Sequence, residues 1–324
     1  MNLKNLSRRT LLAVAAAAAA LPASLLAQDA RPIEWVVGYA AGGGSDAVAR
    51  TVAEAMGKAL GQPIVINNKP GAATNIAAAY VANSKDTGHM LFTADFATLA
   101  ANPWLFPKLP YNAEKDFIPV GMLARFPLLL VVSPNVPAKN FKEFLAWAKT
   151  QPTVNYASAG VGSPHHLATE LFRERTGLKL QHVAYRGAAP AVQDLMGGQV
   201  PFGLIDTASV QQYVAAGKLR ALGVASPARL ATMPEIPTLA EQGLADFSAY
   251  AWQGLVVPAG TPAETVAKYS KALQAALDST PVKARFQTLG LEALPGTPQQ
   301  MATYTRQERD RWGKLVQSAG IKLD

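Results

Sequence analysis

Cysteine is absent from the 324 residues of this sequence. Its absence excludes structural disulfides, thiolate catalysis, zinc–thiolate sites and an anchor through a lipid-modified N-terminal cysteine. Histidine is scarce, with four residues, and the adjacent His165 and His166 have no third ligand at a suitable spacing for a metal ion. We therefore expect no metal and no other cofactor.

Motifs of catalysis and nucleotide binding are also missing. The sequence has no G-x-S-x-G and no H-E-x-x-H motif. No lysine follows the glycines at 42–44, which excludes a P-loop, and Ala47 occupies the sixth position of a G-x-G-x-x-G pattern. No cluster of basic and aromatic residues indicates nucleic-acid binding. We expect a protein that is not an enzyme, with a hydrolase using a Ser–His pair as the alternative.

The N-terminus has the pattern of a secretory signal peptide over residues 1–27. A basic start contains the twin-arginine sequence Arg8-Arg9, an alanine-rich apolar stretch follows, and small residues end at Ala27. A retained membrane anchor is the alternative, but the uncharged stretch is short, weakly apolar and interrupted by Pro22. Cleavage near Ala27 leaves 297 of the 324 residues and lowers the net charge from +8 to +5. We expect an exported, periplasmic protein of two domains with an affinity for anions.

A strand, a glycine loop and a helix follow one another from Trp35 to Leu60. The apolar run from Trp35 to Tyr39 predicts a buried strand, and Ser45 is placed to cap the helix that follows. Glycines at 42–44 let a ligand approach the backbone, and the helix N-terminus attracts anions. This pattern favours a carboxylate site, with a plain turn as the alternative.

The same pattern recurs after a second predicted strand, Val154 to Ala157. Gly160 and Gly162 precede Ser163, a favourable N-cap, and Pro164 suits the first helical position. Further strands alternate with helices along the chain, which predicts βαβ units and parallel sheets. Open sheets of this kind bind ligands at the carboxyl ends of their strands.

Eight motifs, spread in order over the mature chain, resemble one known family. They are Tyr39-Ala-Ala-Gly-Gly-Gly-Ser-Asp46, Asn68-Lys-Pro-Gly71, Asp116-Phe-Ile-Pro-Val120, Gly160-Val-Gly-Ser-Pro-His-His-Leu167, Val183-Ala-Tyr-Arg-Gly187, Gly197-Gly-Gln-Val200, Ala216-Gly-Lys-Leu-Arg-Ala-Leu222 and Pro234-Glu-Ile-Pro-Thr238. The chain resembles the Bug-type extracytoplasmic solute receptors of tripartite tricarboxylate transporters. It departs from them in having alanines at 40, 41, 72 and 73, where prolines or glycines are frequent.

The resemblance implies an α/β fold with the two domains of a periplasmic binding protein (a Venus flytrap), each a mostly parallel sheet flanked by helices. Domain 1 would comprise residues 28–127 and 252–324, and domain 2 residues 128–251. The resemblance further implies a monomer that captures a small carboxylate and delivers it to the membrane subunits of such a transporter. A sensor that presents the ligand to a membrane signalling partner is the alternative.

The candidate ligand-binding residues combine the two glycine loops with neighbouring strand ends. They are Tyr39, Ala41, Gly42, Gly43, Ser45, Asp46, Thr74, Asn75, Ala94, Ser158, Gly162, Ser163, His166, Tyr185, Arg186, Gly187 and Asp206. Several have an equally plausible structural role: Tyr39 could pack on its loop, Ser163 could be a plain N-cap, and Asp206 could cap a loop. One of the two adjacent histidines is expected to pack beneath the second loop.

Asp46 and Asp206 bear on the class of ligand. An ammonium group on the ligand would draw them inward, whereas a plain acid requires both to turn away, toward backbone N–H groups. Ala72, Ala73 and Ala94 offer no charge near the loops. The sequence therefore favours a plain, partly apolar carboxylic acid over an amino acid.

Overall fold

The computed structural model describes residues 31–318 and 320–322. The predicted signal peptide, residues 1–27, lies outside the described residues. None of the helices in the described part of the chain combines the length and the hydrophobicity needed to cross a membrane.

The described chain forms one sheet of mixed direction with helices packed on it. The strands are β1 (Ile33–Val37), β2 (Ile64–Asn68), β3 (Met90–Asp95), β4 (Phe117–Val132), β5 (Val154–Ser158), β6 (Leu180–Ala184), β7 (Phe202–Asp206), β8 (Arg220–Val224), β9 (Tyr250–Pro258) and β10 (Glu292–Ala293). The α-helices are α1 (Gly44–Leu60), α2 (Asn75–Ala82), α3 (Asn102–Leu105), α4 (Phe141–Thr150), α5 (Pro164–Thr176), α6 (Ala188–Met196), α7 (Thr207–Ala215), α8 (Ala263–Asp278), α9 (Thr280–Thr288) and α10 (Pro298–Ser318).

The strand order is β2-β1-β3-β9-β4-β7-β5-β6, with β8 and β10 also paired to β4. At one end β1 runs parallel to both β2 and β3, and at the other end β5 runs parallel to both β6 and β7. The parallel βαβ units predicted from the sequence are therefore present. Between them, β4 and β9 run antiparallel to their neighbours.

Strand β4 connects the two parallel groups. Its first part, from Phe117 to Pro127, pairs with β9, and its last part, from Leu128 to Val132, pairs with β7 and β8. In the sequence, the apolar run from Leu128 to Val132 predicts only this last part as a strand. Pro119 lies in the first part, where the register with β9 shifts, and an irregular strand that contains a proline has no clear periodic signal.

The hydrophobic core divides into clusters on the two faces of the sheet and beneath the helices. One cluster packs Trp35 with Val52 of α1 and Leu273 of α8, and another packs Leu129 with Ile205 of β7. The largest cluster contains residues from both parallel groups and from α10, such as Trp252, Phe202 and Trp312. The strand ends that carry the loops are therefore fixed by buried packing on both sides.

Two helix starts have side-chain caps of the kind that their local sequences, Asn140-x-x-Glu143 and Ser163-Pro164, predict. Asn140 Oδ1 accepts the Glu143 N–H at 2.9 Å, and Ser163 Oγ accepts the His166 N–H at 3.3 Å. The prediction that Ser45 caps α1 was wrong: the helix begins two residues earlier, at Gly44, and its N-cap is Gly43. A glycine has no side chain with which to satisfy the first N–H groups of the helix.

Candidate functional site

Two adjoining cavities lie at the carboxyl ends of the strands, and Tyr39 and Ala159 line both. The smaller cavity has a volume of about 40 Å³ and the larger one about 420 Å³. The small cavity is lined by Tyr39, Gly43, Gly44, Ser45, Asp95, Phe126, Ala159, Pro164, His165, Ala188, Asp206, Ala251, Trp252 and Gln253. The large cavity is lined by Gly38, Tyr39, Gly71, Ala72, Ala73, Thr74, Phe106, Ala159, Gly160, Val161, Ser163, Ala184, Tyr185 and Arg186.

Two glycine-capped helix starts face each other at the small cavity. The N-cap of α1 is Gly43 and the N-cap of α6 is Gly187. An ideal Cβ placed on Gly43 would lie 3.9 Å from the backbone nitrogen of Ala188, so the two helix ends nearly touch. Each helix N-terminus carries a partial positive charge of about half an elementary charge and N–H groups without an intrahelical acceptor. Together they form a site suited to an anion.

Tyr39, which is partly buried and lines both cavities, pairs with the buried Asp95. The Tyr39 hydroxyl donates to Asp95 Oδ2 at 2.6 Å, and Thr98 donates to Asp95 Oδ1 from its N–H at 3.0 Å and its hydroxyl at 2.9 Å. Burial raises the pKa of Asp95, although these hydrogen bonds oppose the shift. Burial and the Asp95 carboxyl also raise the pKa of Tyr39 well above its usual value, which keeps its phenol protonated.

His165 and Asp206 form a buried pair in the small cavity. His165 Nδ1 accepts the Ala159 N–H at 3.2 Å, and its Nε2 lies 3.0 Å from Asp206 Oδ2 and 3.3 Å from the Asp206 backbone nitrogen. Asp206 also caps α7, since its Oδ1 accepts the Ser209 N–H at 3.0 Å. Ser209 in turn accepts the Gly44 N–H at 3.1 Å, a hydrogen bond between α7 and the start of α1. Asp206 thus lines the cavity with its carboxylate already satisfied by protein donors.

Eight of the residues proposed from the sequence line a cavity: Tyr39, Gly43, Ser45, Thr74, Ser163, Tyr185, Arg186 and Asp206. Within the described part of the chain, the others line neither cavity: Ala41, Gly42, Asp46, Asn75, Ala94, Ser158, Gly162, His166 and Gly187. Of the two adjacent histidines, His165 lines the small cavity and His166 packs beneath the loop.

Asp46 is turned toward its own loop and helix. Its carboxylate accepts the Gly42 N–H at 3.0 Å, the Arg50 Nε–H at 2.9 Å and the Asn68 side-chain amide at 3.0 Å. Burial of the carboxyl opposes ionisation, but these donors hold the pKa of Asp46 below its usual value. Asp46 is therefore a carboxylate that stabilises its own loop by hydrogen bonds.

Ser158 and His166 belong to a buried cluster beneath the second loop. The rings of His166 and His182 stack at 4.1 Å, and Tyr156 stacks on His182 at 5.0 Å. Ser158 Oγ lies 2.6 Å from His182 Nε2 and is fully buried. Burial lowers the pKa of His166 to about 4 and that of His182 to about 3, so both rings are neutral at pH 7. In this Ser–His pair Ser158 is buried and His182 is partly buried, and neither lines one of the two cavities in the described structure, which counts against the hydrolase alternative.

Sequence reasoning missed Asp95, His165 and Gln253, each of which lines the small cavity. Asp95 had the same signal as Asp206, an acid that ends a predicted strand. Gln253 is a polar residue inside the apolar run of β9, a signal that was available and was not used. In the described part of the chain, no group of three or more His, Asp or Glu side chains is arranged to hold a metal ion.

The fold and the cleft at its strand ends define a periplasmic binding protein, as the resemblance implied. Residues 48–321 match the family model of the tripartite tricarboxylate transporter family receptor, TctC. The chain belongs to this family.

Relatives of known sequence and structure align with nearly the whole chain. Protein BugT of Bordetella pertussis is 34% identical over 312 residues, 96% of each chain. The structure of R. palustris Rpa4515 with adipate matches with a TM-score of 0.88 at 32% identity, covering 91% of this chain and 100% of that one. MatC from Rhodopseudomonas palustris with bound malate matches with a TM-score of 0.85 at 35% identity, covering 89% and 99%.

Proposed function

We propose that the protein is a periplasmic receptor that captures a small carboxylate between two domains and delivers it, as a monomer, to the membrane subunits of a tripartite tricarboxylate transporter. The observation that carries this proposal is the pair of glycine-capped helix starts facing each other across the small cavity. The relatives Rpa4515 and MatC, solved with adipate and malate, support a carboxylate as the ligand class.

The division of the chain into residues 28–127 with 252–324 and residues 128–251 accounts for this geometry. Strand β4 changes its pairing partners between Pro127 and Leu128. Helix α1 then belongs to domain 1 and helix α6 to domain 2, so a ligand between Gly43 and Ala188 contacts both domains. Removal of residues 1–27 on export would leave this unit complete.

The binding energy needs no salt bridge. Micromolar affinity corresponds to about −8 kcal/mol. A hydrogen bond to a charged group gives roughly 1.5–3 kcal/mol, and a favourably placed helix end gives up to about 2 kcal/mol. A few such contacts at the starts of α1 and α6 supply this energy after the costs of association.

Thermal-shift measurements followed by titration calorimetry test the proposal. Mono-, di- and tricarboxylates, aromatic acids and amino acids form the panel, and chromatography of each mixture after incubation shows whether the ligand is returned unchanged. We expect at least one small carboxylate to bind at micromolar or lower Kd and to be recovered intact. Binding confined to compounds without a carboxylate would overturn the proposed ligand class, and conversion of the ligand would identify an enzyme.

A further inference from the structure

Gln253 lines the small cavity and has a buried acceptor without a partner in the described part of the chain. Its side chain is 4% exposed and lines the cavity, and its Nε2 donates to Ser45 Oγ. The other amide atom, Oε1, is buried and has no hydrogen-bond partner among the described residues. Buried acceptors are almost always paired because leaving one without a donor is costly. This atom therefore requires a donor that the described protein does not supply.

No described group donates to this oxygen, and the nearby side chains have other partners. Asp95 lies opposite Gln253 in the β3–β9 register, and its oxygens already accept from Tyr39 and Thr98. His165 Nε2 is paired with Asp206. Among the described residues that line the small cavity, none is a lysine or an arginine. The helix starts at the small cavity thus favour a carboxylate. The oxygen atoms near them favour a hydrogen-bond donor next to that carboxylate.

The sizes of the two cavities restrict what can enter each. A volume of about 40 Å³ accommodates a small polar group rather than a whole dicarboxylic acid. The adjoining volume of about 420 Å³ has room for the rest of such a molecule. Arg186 lines this large cavity and forms no hydrogen bond or ion pair with any described residue, so it is free to meet a second carboxylate.

We propose that the ligand carries a hydrogen-bond donor, a hydroxyl or an ammonium group, on the carbon next to the carboxylate held by the helix starts, and that Gln253 selects for it. This inference rests on the proposed function and narrows its ligand class to 2-hydroxy and 2-amino acids. It departs from the plain acid favoured by the sequence, because that preference was drawn from Asp46 and Asp206 without Asp95 or Gln253.

Titration calorimetry on matched acids tests the selectivity. Succinate is compared with L-malate and L-aspartate, and glutarate with 2-hydroxyglutarate and L-glutamate. We expect a 2-hydroxy or 2-amino acid to bind about tenfold or more tightly than the plain acid of the same chain length, since only the substituted acid supplies the missing donor. The hydroxy and amino acids together show which donor is preferred.

Variants at position 253 connect the selectivity to this residue. Gln253→Met keeps the length of the side chain and removes Oε1, so the preference for the substituted acid should fall to about onefold while the plain acid still binds. Gln274→Met is the matched control, because the Gln274 amide donates to the Gly296 carbonyl and lines neither cavity. Gln253→Glu keeps an oxygen at Oε1 and should keep the preference for the substituted acid over the plain one. If the amide N–H of Gln253 faced the ligand instead, this variant would lose the preference.

The outcomes separate this inference from the proposed function. Equal affinity for plain and substituted acids in the wild type would overturn the selection while leaving a carboxylate receptor. A preference that survives in Gln253→Met would assign it to another residue and overturn the role of Gln253. Failure of the wild type to bind any carboxylate would overturn the proposed function itself, and this inference with it.

Discussion

Gly43, the N-cap of α1, lies beside the start of α6. Its backbone is extended, with φ −85° and ψ 175°, a conformation open to valine. A Cβ there has space, but the methyl groups of valine would occupy the gap to the Ala188 nitrogen. We expect Gly43→Val to weaken carboxylate binding by about tenfold or more, or ~1.4 kcal/mol, with little change in the denaturation midpoint of the unliganded protein.

Gly88→Val is the matched control for that variant. Gly88 lies in a turn away from both cavities, and the nearest atom to an added Cβ is 3.8 Å away. The control should bind with wild-type affinity in the same calorimetry. Full affinity in Gly43→Val would show that the loop before α1 is only a turn.

The Tyr39–Asp95 pair predicts a stability change. Tyr39→Phe removes one of the donors to a buried carboxyl, which should lower the free energy of unfolding by about 1–3 kcal/mol. Tyr185→Phe is the comparison, because Tyr185 donates to Asp194 at 2.7 Å in a half-buried position and should cost less, about 0.5–1.5 kcal/mol. Urea denaturation measures both. An equal loss in the two variants would mean that the burial of Asp95 does not enhance its hydrogen bond.

Among the elements, α4 and α5 were predictable because their starts are encoded locally. Asn140 with Glu143, and Ser163 with Pro164, are patterns in which neighbouring residues satisfy the first N–H groups of a helix. The first part of β4 was not predictable, since its pairing with β9 involves residues more than a hundred positions away and tolerates Pro119. Strand identity there is set by tertiary contacts that a local pattern does not contain.

The stacked histidines on α5 and β6 predict that stability depends on pH. Unfolded histidine titrates near pH 6.5, whereas the pKa of His166 in the fold is about 4 and that of His182 about 3. Below pH 6.5 the unfolded chain binds protons that the folded chain does not. The contribution of these histidines to the free energy of unfolding is therefore fully present above pH 6.5. It falls as the pH decreases toward these lower values, by about 1–2 kcal/mol per histidine at pH 5.

Urea midpoints measured from pH 7.5 to pH 4.5 test this dependence. His182→Gln retains an amide that can bond to Ser158 but does not titrate, so the decline toward low pH should be shallower in this variant. A decline as steep as that of the wild type would assign the effect to other groups.

For the whole molecule, hydrogen bonds across the cleft predict domain closure. The Gly44 N–H donates to Ser209, the Thr207 hydroxyl donates to the Gly290 carbonyl at 2.8 Å, and the Gln211 amide donates to the Thr288 carbonyl at 3.1 Å. A ligand that bridges α1 and α6 favours the arrangement in which these contacts are made. We expect saturating carboxylate to decrease the radius of gyration in small-angle scattering and to change the fluorescence of Trp252, which lines the small cavity. An unchanged radius of gyration would argue against closure.

The glycine loops at the strand ends were recognisable from the local sequence, and Tyr39, Gly43 and Ser163 line the two cavities. That these residues bind the ligand stays a prediction. Gly162 shows the limit: a Cβ there would lie 2.9 Å from Leu105 and the residue has φ 73°, so it serves the packing of the loop. Which polar side chains face the cavity depends on strand register, as for Asp95 and Gln253, and register is set across the sheet.

The long strand β4 has a consequence for how the protein can be divided. A chain that stopped at Val132 would lack β7, β8 and β9, leaving β4 without its antiparallel neighbours and β3 with an open edge. Unpaired edges of this kind recruit other chains and promote aggregation. We therefore expect neither the segment before residue 128 nor the segment after residue 251 to fold by itself, because β3 and β4 pair with β9. In the division that we propose, residues 128–251 are an insertion between the two parts of domain 1, and we expect this insertion to be exchangeable between relatives as one segment.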